Sequence, residues 1–209
     1  MKKETLAILE KTIADHPALA ICRDDIIKAY KVLISCYKNG GTVLICGNGG
    51  SAADSEHIVG ELMKGFLKKR PLPAADKEKI DDDTLSFNMQ GALPAISLVS
   101  QTSIATAFMN DVEPNMVFAQ QVYGYRNESN VLIGITTSGN SKNIVNAVKV
   151  ANAFKMNTIG MTGETGGVLS SLCTVTLKAP EKETYRVQEY HLPIYHALCA
   201  MVESEFFKV

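Results

Sequence analysis

The sequence predicts an α/β fold: a three-layer, doubly wound, five-stranded parallel sheet with extra helices at the N-terminus. Three observations lead there. Short apolar runs alternate with helix-period patterns along the 209 residues, and alternation of that kind builds a parallel sheet with right-handed crossovers. The runs read as near-continuous apolar segments, as strands buried on both faces do. Two of them, 43–46 and 131–135, enter loops of small polar residues that open helices.

Two helices come first. Leu6, Leu9 and Ile13 are spaced helically over 4–15, and Ile26, Ile27, Tyr30, Leu33 and Ile34 form a stripe over 23–38. Gly40-Gly41 stop the second. These helices, within 1–40, have no evident sheet surface left to cover, which points to packing against a second copy. Strands are expected at 42–46, 94–98, 130–136, 157–161 and 173–178. Helices are expected at 51–66, 102–109 with 113–123, 141–154, 167–172 and 186–206. One stretch departs from the alternation. Residues 68–90 are charged, contain Pro71 and Pro73 and carry few large apolar residues, so they read as a surface excursion from a single domain spanning 1–209.

Bulk properties exclude several classes. A net charge of −1 gives no global field to attract nucleic acid or a membrane surface. No apolar run reaches membrane-spanning length, and Met1-Lys2-Lys3-Glu4 leads into an amphipathic segment, so a cytoplasmic location is expected. The five cysteines, Cys22, Cys36, Cys46, Cys173 and Cys199, form no CxxC pair and read as small buried hydrophobes.

The chemistry concentrates in the two loops. In Gly47-Asn48-Gly49-Gly50-Ser51, small residues open a helix and expose backbone N–H groups at its positive end, which is an anion site. With Ala52, the loop also fits G-x-G-x-x-A, a dinucleotide fingerprint. That motif calls for an acid at the end of the next strand, whereas the strand near 94–98 ends in Val99-Ser100-Gln101. No nucleotide cofactor is expected. The second loop, Thr136-Thr137-Ser138-Gly139-Asn140-Ser141, offers four hydroxyls within six residues. Helix capping explains Ser141 alone; a phosphate explains all four together. A phosphorylated small molecule is therefore the expected ligand.

Beyond the first loop, His57 and Glu61 stand at i, i+4 and share a helix face. Such a pair can hold a divalent metal or do acid–base work, or be no more than a surface pair. The last helix carries Gln188, His191 and His196 in an apolar stretch. On a regular helix Gln188 and His196 lie roughly 12 Å apart. They meet at one metal only if the chain is irregular near Pro193 or Gln188 precedes the helix; otherwise they serve neighbouring sites.

The set is specific when taken in order: Cys46-Gly47-Asn48-Gly49-Gly50-Ser51, His57, Glu61, Thr137-Ser138-Gly139-Asn140-Ser141, Thr162-Gly163-x-x-Gly166-Gly167 and Gln188-Glu189-x-His191-x4-His196. It resembles the phosphoheptose isomerases of the sugar isomerase (SIS) domain family over about residues 23–205. The resemblance implies a flavodoxin-like five-stranded sheet and a homotetramer with sites between subunits. It implies conversion of sedoheptulose 7-phosphate to D-glycero-D-manno-heptose 7-phosphate for bacterial surface polysaccharide. Carried over by position, Ser51, Thr136, Ser138 and Ser141 bind the phosphate, while Asn48 and Thr137, with Gly49 and Gly50 of the first loop, line the sugar site. His57, Glu61, Gln188 and His196 form the metal and catalytic set, with zinc as the expected ion. Glu61 is assigned as base and His196 as its acid–base partner, with Gln188 also reaching substrate. Gln101, Tyr185 and Glu164-Thr165 stand where the family often has other residues, and these positions concern the sugar, so another sugar phosphate is the alternative substrate. A non-catalytic, partner-binding relative would have lost the acid and histidines that this chain keeps.

Overall fold

The computed structural model describes residues 1–207. The helices α1 (Lys3–Asp15) and α2 (Arg23–Lys38) flank a 3-10 turn, Pro17–Cys22. Next come β1 (Val43–Gly47), α3 (Gly50–Met63), α4 (Ala74–Ile80), α5 (Asp83–Asn88), β2 (Ala95–Ser97) and α6 (Thr102–Asp111). A 3-10 turn at Pro114–Met116 leads into α7 (Val117–Gly124), β3 (Val131–Ile135), α8 (Lys142–Ala153) and β4 (Asn157–Thr162). The chain closes with α9 (Leu169–Leu172), β5 (Val175–Lys178) and α10 (Thr184–Phe206).

All strand pairs are parallel, in the order β2-β1-β3-β4-β5. This is the flavodoxin-like order. The strand order reverses between β1 and β3, which pair from Val43↔Val131 to Gly47↔Ile135. Ligands bind beyond the carboxyl ends of strands at such a reversal. The two loops expected to bind anions follow β1 and β3, so the topology brings them side by side.

Alternate residues of each strand feed two cores. Val43, Ile45, Ile133 and Ile135 face α2, α3 and α10; Leu44, Cys46 and Leu132 face α7, α8 and α9. Each fully buried Leu or Ile contributes about 1.5–3 kcal/mol. The cysteines are all free thiols, and four of the five are buried.

The structure corrects two sequence expectations. The N-terminal helices do have a surface within their own chain. Ile26, Tyr30 and Leu33 of α2 join the core over β3 and β5, and α1 packs along α10 through Leu9. The reason is that α3 packs over β1 and β2 and leaves the same face of β3 and β5 to α2. The excursion's helices α4 and α5 bury only Ser86 between them. The excursion is also more structured than a loop. Its base is closed by Gly91 N–H donating to the Arg70 carbonyl at 2.6 Å and by Gly65 N–H donating to Gln90 Oε1 at 2.7 Å. Arg70 itself is 1% exposed. Its guanidinium donates to Glu203 Oε1 at 2.8 Å and to the Leu62 carbonyl at 2.6 Å, and it reaches the Glu61 carbonyl at 3.1 Å.

Candidate active site

The first loop leaves β1 at Gly47 and turns through Gly49, whose φ of +56° favours glycine. A Cβ on Gly47 would collide with the Ser51 backbone, so strand and helix approach closely there. Gly50 and Ser51 form the first turn of α3, which has no side-chain cap, and Ser51 is 3% exposed. Gln188 crosses this turn: a Cβ on Gly50 would lie 2.7 Å from Gln188 Nε2.

The second loop holds its hydroxyls together. Thr136 Oγ1 lies 2.8 Å from Ser141 Oγ and 3.4 Å from Ser138 Oγ. Ser141 occupies the N-cap of α8 without capping it, so its hydroxyl serves the cluster and not the helix. The loop rests on the next one. Gly163 N–H donates to the Thr137 carbonyl at 2.8 Å, and Leu169 N–H to the Gly139 carbonyl at 3.1 Å. A Cβ on Gly139 would strike the Gly166 carbonyl. The Thr162–Gly167 motif is thus a support for the hydroxyl loop. The first loop is tied to the first turn of α8, which the second loop opens, by a reciprocal amide pair, in which Asn48 Nδ2 donates to Asn143 Oδ1 at 3.0 Å and Asn143 Nδ2 to Asn48 Oδ1 at 2.9 Å.

Farther along α3, His57 Nε2 lies 3.2 Å from Glu61 Oε1 and 3.4 Å from His196 Nε2. One ligand atom from each of the three residues lies within 4.8 Å of the others. Lys64 Nζ pairs with Glu61 Oε2 at 3.1 Å. Burial first, and then His57, lowers the His196 pKa below its ordinary value, which favours the neutral ring; Glu61 opposes the shift. The Phe66 ring covers His196 at 5.3 Å between centroids.

Two neighbours went unrecognised in the sequence. Tyr195 Oη lies 2.9 Å from His57 Nδ1 and donates to Asp54 Oδ1 at 3.3 Å. Burial raises the Asp54 carboxyl above its usual range, while the Tyr195 hydroxyl and His57 pull it back. Asp54 stands three residues before His57, so helical spacing was its available signal. Tyr195 lies in the apolar stretch of α10, where no local pattern sets it apart.

α10 runs unbroken from Thr184 through Pro193. Gln188 and His196 are therefore about 12 Å apart along its axis, Gln188 over the first loop and His196 at His57. Gln101 starts α6 and Tyr185 lies in the first turn of α10.

Models of the SIS domain match residues 17–77 and 103–204. A phosphoheptose isomerase from Campylobacter jejuni is 37% identical over 203 residues, spanning 95% of this chain and 98% of its own. One from Aneurinibacillus thermoaerophilus is 36% identical over 99% of this chain and 92% of its own. The chain belongs to the phosphoheptose isomerase family, within the SIS domain proteins. The solved phosphoheptose isomerase of Neisseria gonorrhoeae superposes with a TM-score of 0.73 at 32% identity, over 96% of this chain and 98% of that one. That of Francisella tularensis gives 0.72 at 31%, over 96% and 93%. Membership accounts for the paired loops: a phosphosugar isomerase must hold a phosphate at one end and exchange protons at the other. No helix among the described residues is long and apolar enough to cross a membrane.

Proposed function

We propose that this phosphosugar isomerase converts sedoheptulose 7-phosphate to D-glycero-D-manno-heptose 7-phosphate, the whole chain, 1–209, acting as one SIS domain. One observation carries the reading. His57, Glu61 and His196 converge about 10 Å along α3 from the loop that opens it. An acid–base cluster thus lies a sugar's length from two loops suited to a phosphate.

The phosphate is held by Ser51, Thr136, Ser138 and Ser141, whose hydroxyls and helix N-termini donate to its oxygens. Asn48, Gly49, Gly50, Thr137 and Gln188 line the sugar between phosphate and cluster. Glu61 takes a proton from C1 of the ketose and returns it at C2. His196 gives a proton to O2 and receives one from O1, so the carbonyl moves through an enediol with no net change in atoms or electrons. The reaction is redox-neutral within one molecule and needs no nucleotide cofactor.

Two imidazoles and a carboxylate, with one ligand atom of each within 4.8 Å of the others, are a donor set that suits zinc. We assign His57, Glu61 and His196 to the ion, one per site; the resemblance implies Gln188 as a fourth ligand, but the unbroken α10 sets it about 12 Å along the axis from His196, so Gln188 is assigned to the sugar beside the first loop. When bound, zinc would supply Lewis-acid stabilisation of the developing oxyanion. The His57 side chain is 42% exposed, so the cluster opens to the surface and leaves room for a second copy. We propose the homotetramer that the resemblance implies and the cytoplasmic location that the sequence leads us to expect.

The test is conversion of sedoheptulose 7-phosphate by purified protein with zinc supplied, with and without a chelator. Appearance of the aldose supports the reading. Folded protein that forms no aldose overturns it, and a panel of other ketose phosphates then identifies the substrate.

A further inference from the structure

The two nitrogens of His57 face different surroundings. Nε2 points into the candidate site, toward Glu61 and His196. Nδ1 points away and meets only the hydroxyl of Tyr195 among the hydrogen-bond partners described, at 2.9 Å. That hydroxyl also lies 3.3 Å from Asp54 Oδ1. Tyr195 is 2% exposed, and its ring stands edge-on to His57 and to His196, at 5.4 and 4.9 Å between centroids. Packing therefore locks the phenol in place.

A phenol has one proton to give and lone pairs with which to accept. Asp54, when ionised, can only accept, and a carboxylate binds a donated proton more strongly than a neutral imidazole does. The Tyr195 proton accordingly goes to Asp54, and its oxygen accepts from His57 Nδ1–H. The result is a directed chain, Nδ1–H to Oη–H to Oδ1. The opposing pull is Glu61 Oε1, 3.2 Å from Nε2, whose charge is shared with Lys64 Nζ at 3.1 Å from Oε2; against it, the chain favours Nε2 of His57 without a proton, its lone pair toward the site. Metal-binding histidines are held in this way by a partner on the far nitrogen, which sets tautomer and ring angle.

We propose that Tyr195 and Asp54 are positioning residues that hold His57 in its Nδ1–H tautomer and present Nε2 as a ready donor atom for a divalent cation. The inference rests on reading His57, Glu61 and His196 as the site of the proposed function. It differs from that reading in assigning a task to two side chains that touch neither substrate nor ion.

The experiment uses the full-length protein with nitrogen-15-labelled histidine. Proton–nitrogen correlation spectra of the metal-free protein report which His57 nitrogen carries the proton, with the signal assigned through His57→Gln. The expected result is Nδ1–H in the parent and loss of that preference in Tyr195→Phe, which keeps the ring and its packing. Asp54→Ala should also lose it, and Asp54→Asn, which keeps an acceptor oxygen, should restore part of it. Cobalt(II), titrated by its absorption as a stand-in for zinc, should bind about 10–100-fold more weakly to Tyr195→Phe. A purely structural Tyr195 would change thermal stability and leave tautomer and cobalt affinity unchanged. A parent protein with His57 protonated on Nε2, or a Tyr195→Phe protein with the parent tautomer and cobalt affinity, overturns the proposal. Lack of isomerase turnover with the Nδ1–H tautomer intact would instead count against the proposed function alone.

Discussion

Replacing Arg70 with Met should destabilise the protein and slow its chemistry from outside the site. The Arg70 side chain is 0% exposed and Glu203 1% exposed, and the two are joined at 2.8 Å. Met fills much of the same volume but removes donors to Glu203 and to the carbonyls of Leu62 and Glu61. Contact of the guanidinium with the Phe207 ring, 4.7 Å to its centroid, is lost as well. Breaking a buried pair costs about 3–5 kcal/mol, because a charge is left without its partner. Glu203 still accepts from the N–H groups of Phe66, Leu67 and Lys68, so the lower end, about 3 kcal/mol, is expected. For a chain of this size that is a fall in Tm of about 6–12 °C. Thermal denaturation followed by circular dichroism measures it. Arg70→Lys should fall in between, since an ammonium keeps the charge but cannot span three acceptors in one plane. Because Arg70 grips the last turn of α3, which carries Glu61, kcat should fall in Arg70→Met even at temperatures where the fold is intact. A Tm within about 2 °C of the parent would refute the reasoning, since it would mean that the pair and its three acceptors add no net stability.

Glu61→Gln should lower kcat by about 10²–10⁴-fold, the usual worth of a positioned base, in steady-state assays on sedoheptulose 7-phosphate; near-parent turnover would remove Glu61 as the base. Thr136→Val keeps the shape of a 5% exposed side chain and deletes the hydroxyl that links Ser138 and Ser141. KM should rise about 10–100-fold, the worth of a hydrogen bond to a charged group, with kcat little changed; an unaltered KM would detach this loop from the phosphate. His191 is fully buried, with Nε2 3.2 Å from the Thr162 carbonyl and Nδ1 without a partner among the described residues. Burial lowers its pKa from 6.5 to about 4. The unfolded chain then binds the proton first as pH falls. Its contribution to stability is present above pH 6.5 and is lost between there and pH 4, by about 3 kcal/mol in all. Denaturant unfolding of the parent and of His191→Asn across that window should show a shallower pH dependence in the variant; parallel curves would contradict the assignment.

The sequence by itself determined the layers, the strands and the two ligand loops. Each depends on local pattern: apolar runs such as Val131–Ile135 mark buried strands, and Gly and Ser at the next positions mark a turn into a helix. His57 and Glu61 were legible because four residues is a helix repeat. Only the tertiary structure decided what those residues meet. His196 reaches His57 across 139 positions of sequence, and Tyr195 reaches Asp54 across 141; no local period encodes such pairings. The charged excursion shows the same limit. Composition marks 68–90 as surface, and α4 and α5 are, yet Arg70 is buried because Glu203, 133 positions away in sequence, and the carbonyls of Leu62 and Glu61 at the end of α3 satisfy it. The N-terminal helices looked unpartnered for a related reason. Which face of a sheet stays open depends on where every other helix goes, and that is settled by packing the whole chain, not by the pattern of any one segment.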